Sequence, residues 1–453
     1  MKIALIVFGL TGMLAMAAAE TPAAEAPVRF VNDICLPSSL WLLSDTRNDL
    51  FVQPFLKRWR PYDDFVRFSM DRANPFQRRL SHVATIDRPV EGAKLTVDLV
   101  NGDAFKTVKR VKTTLRVGPK GVGKTDVYAQ ILGDSFTHGR FYQDALLDSG
   151  YVPKLHLVGL LKAGKDQYNE GRGGWALSSY FQVPKREIGS YHGYMQPVDG
   201  RYWGAREFWR MAWRCAKGTQ PKGFEPTYSC SRFDDVVNRF DEQTGTLLNP
   251  QAGDIQYDGV AKTMVRFDGA AWKPVDERSL KWGFDYGKYL AMWNLKQPQF
   301  LFVLLGLNDF RGNIAADFTQ WGERIRIVKE SYLKACPGGR FVICIPCSTC
   351  GSIDNAAGDF TPMQNAAMWR FRDWLIRTFD GREQDGYYLL DAGIGTDNDH
   401  GFRFVNGGAV VEPFEKAKDA EPLRVQTGNP HPYPNYPAMG LPFAAFIQYY
   451  RDR

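Results

Sequence analysis

Several things are missing from this sequence, and each absence removes a class of function. The N-terminal apolar segment, residues 3–16, falls short of the roughly 20 residues that a comfortable membrane span requires. No long tract of low complexity or of like charge is present, so a composition of 44% hydrophobic and 24% charged residues reads as ordinary globular protein. The formal charge of +7 is scattered among acidic residues rather than gathered in a basic stripe, and no nucleic-acid partner is expected. No Gly-Lys-Ser/Thr signature follows the glycine-rich stretch at Gly171, which argues against a phosphate cradle. Cys344, Cys347 and Cys350 have neither a fourth ligand nor a second cluster, so they read as core rather than as a metal site.

What is present points to an exported protein. Lys2, the apolar segment and Ala17, Ala18 and Ala19 before Glu20 follow the charged, apolar and small-residue order of a secretory signal. Cleavage near Ala19 and a periplasmic or extracellular location are expected. No cysteine follows that site, so a lipid anchor is not indicated. The seven cysteines are odd in number; Cys215 and Cys230, separated by a loop containing Gly and Pro, are the candidate disulfide.

A chain of 453 residues has room for two or three domains. Within 28–117, strand-like segments at 40–43, 50–52, 65–69, 94–100 and 108–117 alternate with turn residues and predict a small all-β sandwich. Residues 118–126 read as a linker. From 127 to 453, apolar runs at 127–132, 155–161, 300–305, 341–345 and 387–390 alternate with helical segments at 140–147, 314–333, 362–379 and 436–450. Continuous apolar strands separated by helices predict a five-stranded parallel sheet covered on both faces. Its strands would then share one carboxyl edge, where chemistry collects in such folds. An aromatic-rich insertion at about 181–299 breaks the rhythm; it would land beside that edge, where exposed indoles would suit a sugar face.

Four short blocks fall near the ends of these elements. In Gly133-Asp134-Ser135 the serine would be lifted on a turn after a strand, as a nucleophile or as a helix cap. In Glu170-Gly171-Arg172-Gly173-Gly174-Trp175 the glycines allow a backbone amide, that of Gly174, to approach a ligand, with Arg172 and Trp175 beside it. In Gly306-Leu307-Asn308-Asp309 the Asn308 amide is a candidate donor to a developing oxyanion, and Asp309 a candidate pocket residue. In Asn429-Pro430-His431-Pro432 a histidine stands between two prolines and is the best placed of six as a general base. His138, three residues past Ser135, is its rival and a candidate pocket residue. His192 and His400 could line the pocket, whereas His82 and His156 read as structural.

These four blocks, in this order, resemble those of the SGNH (GDSL-type) hydrolases, from about Val127 to the end of the chain. The whole resembles exported carbohydrate-esterase-like members with a β-sandwich ahead of the hydrolase domain. The resemblance implies a flavodoxin-like sheet, no metal and no organic cofactor. It also implies Ser135 as nucleophile, His431 as base, and an oxyanion hole made by the Ser135 amide, the Gly174 amide and the Asn308 side chain. One position departs from the pattern: Gly428 stands where the family usually places the acid that orients the histidine. Asn429, Asp397 and Asp399 are the candidate substitutes, and a Ser-His dyad is the alternative; Asp134 reads as holding the turn. The expected activity is hydrolysis of small acyl esters on a glycan or of another small ester. Acyl transfer or lipid-ester hydrolysis by the same residues, and glycan binding on a decayed hydrolase, are the competing accounts.

Overall fold

The computed structural model describes residues 32–57, 64–72, 76–79, 82–102, 104–148, 150–164, 167–183, 191–219, 236–347, 362–398, 404–406, 424–426 and 436–453. Asp33–Arg453 form one compact unit. The signal segment lies outside the described residues.

Seven strands open the chain: β1 (Ser39–Leu43), β2 (Asn48–Phe51), β3 (Asp64–Met70), β4 (Phe76–Arg79), β5 (Val83–Ile86), β6 (Lys94–Asn101) and β7 (Thr107–Gly118). They form a four-stranded sheet in the order β1-β7-β6-β3 and a three-stranded sheet in the order β2-β5-β4. Alternation is the cause: Val66 and Phe68 of β3 point inward while Arg67 and Ser69 point to solvent. With Leu95, Val97 and Leu99 of β6 and Phe55 they close a common core.

Two sheets over one core are present within 28–117, and they belong to the same compact unit as the rest of the chain. Leu40 and Leu42 of β1 face that core, but Trp41 and Leu43 point the other way into the main core. The Trp41 ring lies 5.0 Å from that of Phe446. A strand apolar on both faces joins these sheets to the rest of the chain. Polar contacts add to the join, among them the Trp369 indole N–H on the Phe55 carbonyl at 3.1 Å.

The second half begins with β8 (Val127–Gly133), the short helix α1 (Ser135–His138), α2 (Phe141–Asp148), β9 (Leu155–Leu157), β10 (Leu161–Gly164) and β11 (Gln167–Gly171). In the insertion come β12 (Met195–Pro197), β13 (Arg201–Ala205), α3 (Arg206–Ala216), β14 (Asp254–Asp258), β15 (Thr263–Phe267), β16 (Trp272–Val275), β17 (Trp282–Phe284) and α4 (Tyr286–Met292). After it follow β18 (Phe300–Leu304), α5 (Leu307–Phe310), α6 (Thr319–Ala335), β19 (Arg340–Ile345), α7 (Pro362–Phe379) and β20 (Tyr387–Asp391). The hairpin β21 (Phe404–Asn406) and β22 (Arg424–Gln426) and the helix α8 (Tyr436–Tyr450) complete the described elements. On α6 the buried residues Trp321, Ile325, Val328 and Tyr332 recur at helical spacing, one apolar stripe against the sheet.

The main sheet is not the five-stranded flavodoxin-like sheet expected from the sequence. It has seven strands of mixed direction, in the order β10-β11-β8-β18-β19-β20, with β9 also paired to β8. The segment read as one second strand, 155–161, splits in two. Its first half, β9, pairs with Val127–Ala129 of β8. The chain then turns through the antiparallel β10–β11 hairpin and re-pairs with Leu132 and Gly133, the last two residues of the same β8 edge. Smaller sheets, β13-β14-β15-β16 and β12-β17, occupy the insertion.

The insertion's aromatics are mostly its own core. Tyr194, Tyr202, Trp203, Phe208 and Trp209 are buried, while Trp213, Trp272 and Trp282 are partly buried against that cluster. Trp209 stacks on Phe240 at 3.7 Å, and Tyr194 on Tyr289 at 4.2 Å. The sugar-facing wall of indoles expected here is therefore replaced by interior packing. Among the described residues, no helix is long and apolar enough to cross a membrane.

Candidate active site

Strand register places three of the four blocks side by side. Gly133 of β8 pairs with Gly171 of β11 on one side and with Leu304 of β18 on the other. Adjacent strands lie about 4.8 Å apart. Ser135 follows Gly133 by two positions, Gly174 follows Gly171 by three, and Asn308 follows Leu304 by four, so all three emerge from one sheet edge.

The turn that presents Ser135 is set by local chemistry. Asp134 caps α1, its carboxylate accepting the Phe136 amide at 3.0 Å. Ser135 is the first helical residue and is partly exposed. The helix crosses so close to the sheet that a Cβ at position 133 would meet Thr137 Oγ1 at 2.0 Å, and one at 171 the His138 amide nitrogen at 2.3 Å. Glycine at both places is what lets the helix that begins at Ser135 sit on the strand ends.

The second block is tied to the first and third. The Arg172 amide donates to the Gly133 carbonyl at 3.0 Å, and the Trp175 amide to the Arg172 carbonyl at 3.2 Å, closing a turn over Gly173 and Gly174. Asn308 reaches across with one Nδ2–H on the Trp175 carbonyl at 3.1 Å. Asp309 accepts the Leu177 amide at 3.1 and 3.2 Å through its two oxygens. Among the described residues, the Ser135 and Gly174 amides have no acceptor, and the second Asn308 amide hydrogen has none. Three N–H donors with spare capacity thus belong to residues that leave the same sheet edge as the partly exposed Ser135, and donors of this kind can bind an oxyanion.

Two carboxyl groups belong to these turns, Asp134 buried and Asp309 partly buried. Burial pushes Asp134 up to about 7, the nearby Asp309 charge adding to the effect against the Phe136 hydrogen bond. Burial likewise raises Asp309 to about 6, opposed by the Leu177 amide. Neither needs to be charged to hold its turn.

The histidines separate clearly. His192 is 1% exposed, with Nε2 3.0 Å from the Gln182 carbonyl and Nδ1 accepting the Tyr194 amide at 3.2 Å. Burial drives it down to about 3, so it is a neutral packing residue under Trp175 rather than a lining of the pocket. His138 is held below its usual value by burial and by the Arg172 and Arg140 charges, against a hydrogen bond to the Gly171 backbone. His156 sits at the other end of β8, 2.8 Å from Asp126. His431, Asn429, Gly428, Asp399 and His400 lie outside the described residues. Asp397 follows β20 and is half-buried.

Cys215 belongs to α3 and is half-buried, while Cys230 lies outside the described residues. Cys344 and Cys347 are buried, and Cys350 lies outside. Among the described residues, no group of three or more His, Cys, Asp or Glu is arranged to hold a metal ion.

Sequence reasoning missed the polar interior behind the edge. Arg172, expected as a pocket residue, is instead fully buried, its Nη1 donating to Glu170 Oε2 at 2.5 Å and its Nη2 to the Tyr191 carbonyl at 3.0 Å. Glu170 Oε1 accepts the Leu160 amide at 2.7 Å and the Tyr289 hydroxyl at 2.5 Å. Gln130 of β8 donates to Tyr289 at 3.1 Å and accepts from Tyr194 and Tyr286 at 3.1 and 2.6 Å. The Tyr180 hydroxyl lies 2.8 Å from the Gly133 carbonyl and 2.5 Å from that of Glu170. The visible signal was an acid and a base two residues apart at a strand end; the tyrosines, far away in sequence, carried none.

No protein-family model matches this chain, and a search of curated proteins finds no significant match.

Proposed function

We propose that this chain is an exported serine esterase of the SGNH (GDSL) type that removes acetyl or other small acyl groups from a carbohydrate. The observation that supports the reading is that a partly exposed Ser135 and the uncommitted amides of Ser135, Gly174 and Asn308 all leave one sheet edge, on adjacent strands. A decayed site used only for binding has no need of that set of donors.

In this reading Ser135 Oγ attacks the ester carbonyl carbon while its proton passes to the imidazole of His431. The carbonyl oxygen becomes an oxyanion and accepts hydrogen bonds from the Ser135 amide, the Gly174 amide and Asn308 Nδ2–H. Collapse breaks the ester C–O bond, and the leaving sugar oxygen takes the proton from the imidazolium. Water then attacks the acyl-serine, giving its proton to His431, and the second collapse returns that proton to Ser135 with release of the acid. With glycine at 428, orientation of the imidazole falls to Asn429, Asp397 or Asp399, or to backbone carbonyls.

The test uses purified full-length protein, p-nitrophenyl acetate and a panel of acetylated oligosaccharides, with a fluorophosphonate as a label for the nucleophile. The expected result is acetate release and labelling, both abolished in Ser135→Ala. Absence of hydrolysis and of labelling in the native protein, or full activity in Ser135→Ala, rejects the reading.

A further inference from the structure

The turn that carries the Gly174 amide is closed by a single backbone hydrogen bond, from the Trp175 amide to the Arg172 carbonyl at 3.2 Å, and its two central residues have no side chain to fix it. Gly173 and Gly174 are exposed, a Cβ at either would meet no atom within 4 Å, and Gly174 has φ +76°. Glycine at that φ is unrestrained by a side chain, so the direction of the 174 amide is decided by what grips the two ends of the turn.

One end is gripped by Asn308 through the Trp175 carbonyl. The other is Arg172, whose amide is bonded to the end of β8 and whose guanidinium turns inward. It is bound there by Glu170 and by the Tyr191 carbonyl, and lies 5.1 Å from the Trp175 ring centre and 5.8 Å from that of Tyr180. Glu170 is in turn held by Tyr289, and Tyr289 by Gln130. Tyr191 and Tyr289 both belong to the insertion.

A buried ion pair is weak support for a fold, since apolar residues of like volume commonly serve as well or better. A planar donor fork that bonds two acceptors while stacking on rings gives direction rather than bulk. Here it gives direction to a turn whose only internal tie is one backbone hydrogen bond.

We propose that Arg172 is a positioning residue: it aims the Gly174 amide into the oxyanion site by locking the turn to the Glu170–Tyr289–Gln130 network of the strands and the insertion. The insertion then acts on catalysis from below the site, by holding a donor. The proposal rests on the esterase reading and deepens it.

The experiment measures kcat and KM on p-nitrophenyl acetate for native protein, Arg172→Lys, Tyr289→Phe and Asn308→Ala, with thermal midpoints and fluorophosphonate labelling alongside. Lysine keeps the charge but cannot bond Glu170 and Tyr191 as a fork. Arg172→Lys is expected to lose about 10- to 100-fold in kcat with KM within about threefold. Tyr289→Phe removes one hydroxyl and keeps the ring and the ion pair, so it remains informative if Arg172→Lys does not fold; a loss of about three- to tenfold in kcat alone is expected. Combined with Asn308→Ala, the Arg172→Lys loss should shrink, because both act on the same turn. Folded Arg172→Lys or Tyr289→Phe with native kcat, or with losses that appear only in KM or thermal midpoint, overturns the proposal while leaving the esterase reading intact. A native protein that neither hydrolyses nor labels overturns the esterase reading instead.

Discussion

Replacing Asp134 by asparagine tests the electrostatics of the turn that presents Ser135. The carboxyl is 1% exposed and stands at about 7 in the folded chain, against 3.8 as its ordinary value. Between those two values the folded chain keeps a proton that the unfolded chain has released. The folded state therefore binds more protons, and stability falls as pH rises through this window. From about pH 5 to about pH 8 the proton difference spans roughly two pH units, and at about 1.36 kcal/mol per unit the native chain loses about 3 kcal/mol from this group. Asp134→Asn keeps an oxygen for the Phe136 amide and a good helix cap but cannot titrate. Its stability relative to the native chain should rise by about 3 kcal/mol between those pH values, any constant effect of the amide cancelling in the comparison. Asp309→Asn should show the same sign at about half the size, since that carboxyl reaches only about 6. Urea unfolding followed by the fluorescence of the 12 tryptophans supplies the measurement. Equal relative stability at both pH values would refute the reasoning, because it would mean that Asp134 is charged in the fold at pH 5.

Other outcomes follow from single contacts. Asn308→Ala removes both a donor to the oxyanion and the tie to the Trp175 carbonyl, and kcat should fall by about 10²- to 10³-fold with little change in KM. Arg372→Leu strands the buried Asp391 carboxylate and frees the Cys35 carbonyl; a loss of about 3–5 kcal/mol in urea unfolding is expected. Burial pushes the Cys35 thiol up to about 12, so at neutral pH it should resist a maleimide in the native protein and react in step with the unfolding transition.

Much of the secondary structure is written in local pattern. The alternation in β3 and β6 and the stripe on α6 each follow from residues a few positions apart, and strands and helices form where those patterns lie. Three of the four blocks could be placed at strand ends for the same reason, since Gly133 and Ser135, Gly174, and Asn308 belong to short runs with their own turn chemistry; the fourth, around His431, lies outside the described residues. The split of the second strand was not legible. Leu155, Leu157 and Leu161 form one apolar run, and only the return of β11 to the same edge of β8 divides it. The join of β1 to the main core was hidden too, because a strand apolar on both faces does not say what covers the second face.

The sequence by itself determined which groups stand at Ser135, Gly174 and Asn308, because a hydroxyl, a flexible backbone amide and a side-chain donor are properties of residue type and immediate neighbours. Tertiary structure alone decided that they share an edge, through the register of β11, β8 and β18. It also decided where the insertion's aromatics go. An aromatic-rich segment reads equally as a wall for a ligand or as a core. Long-range packing selected the core, and hydrogen bonds tie it to the strand end, from the Tyr289 hydroxyl to Glu170 and from Arg172 to the Tyr191 carbonyl.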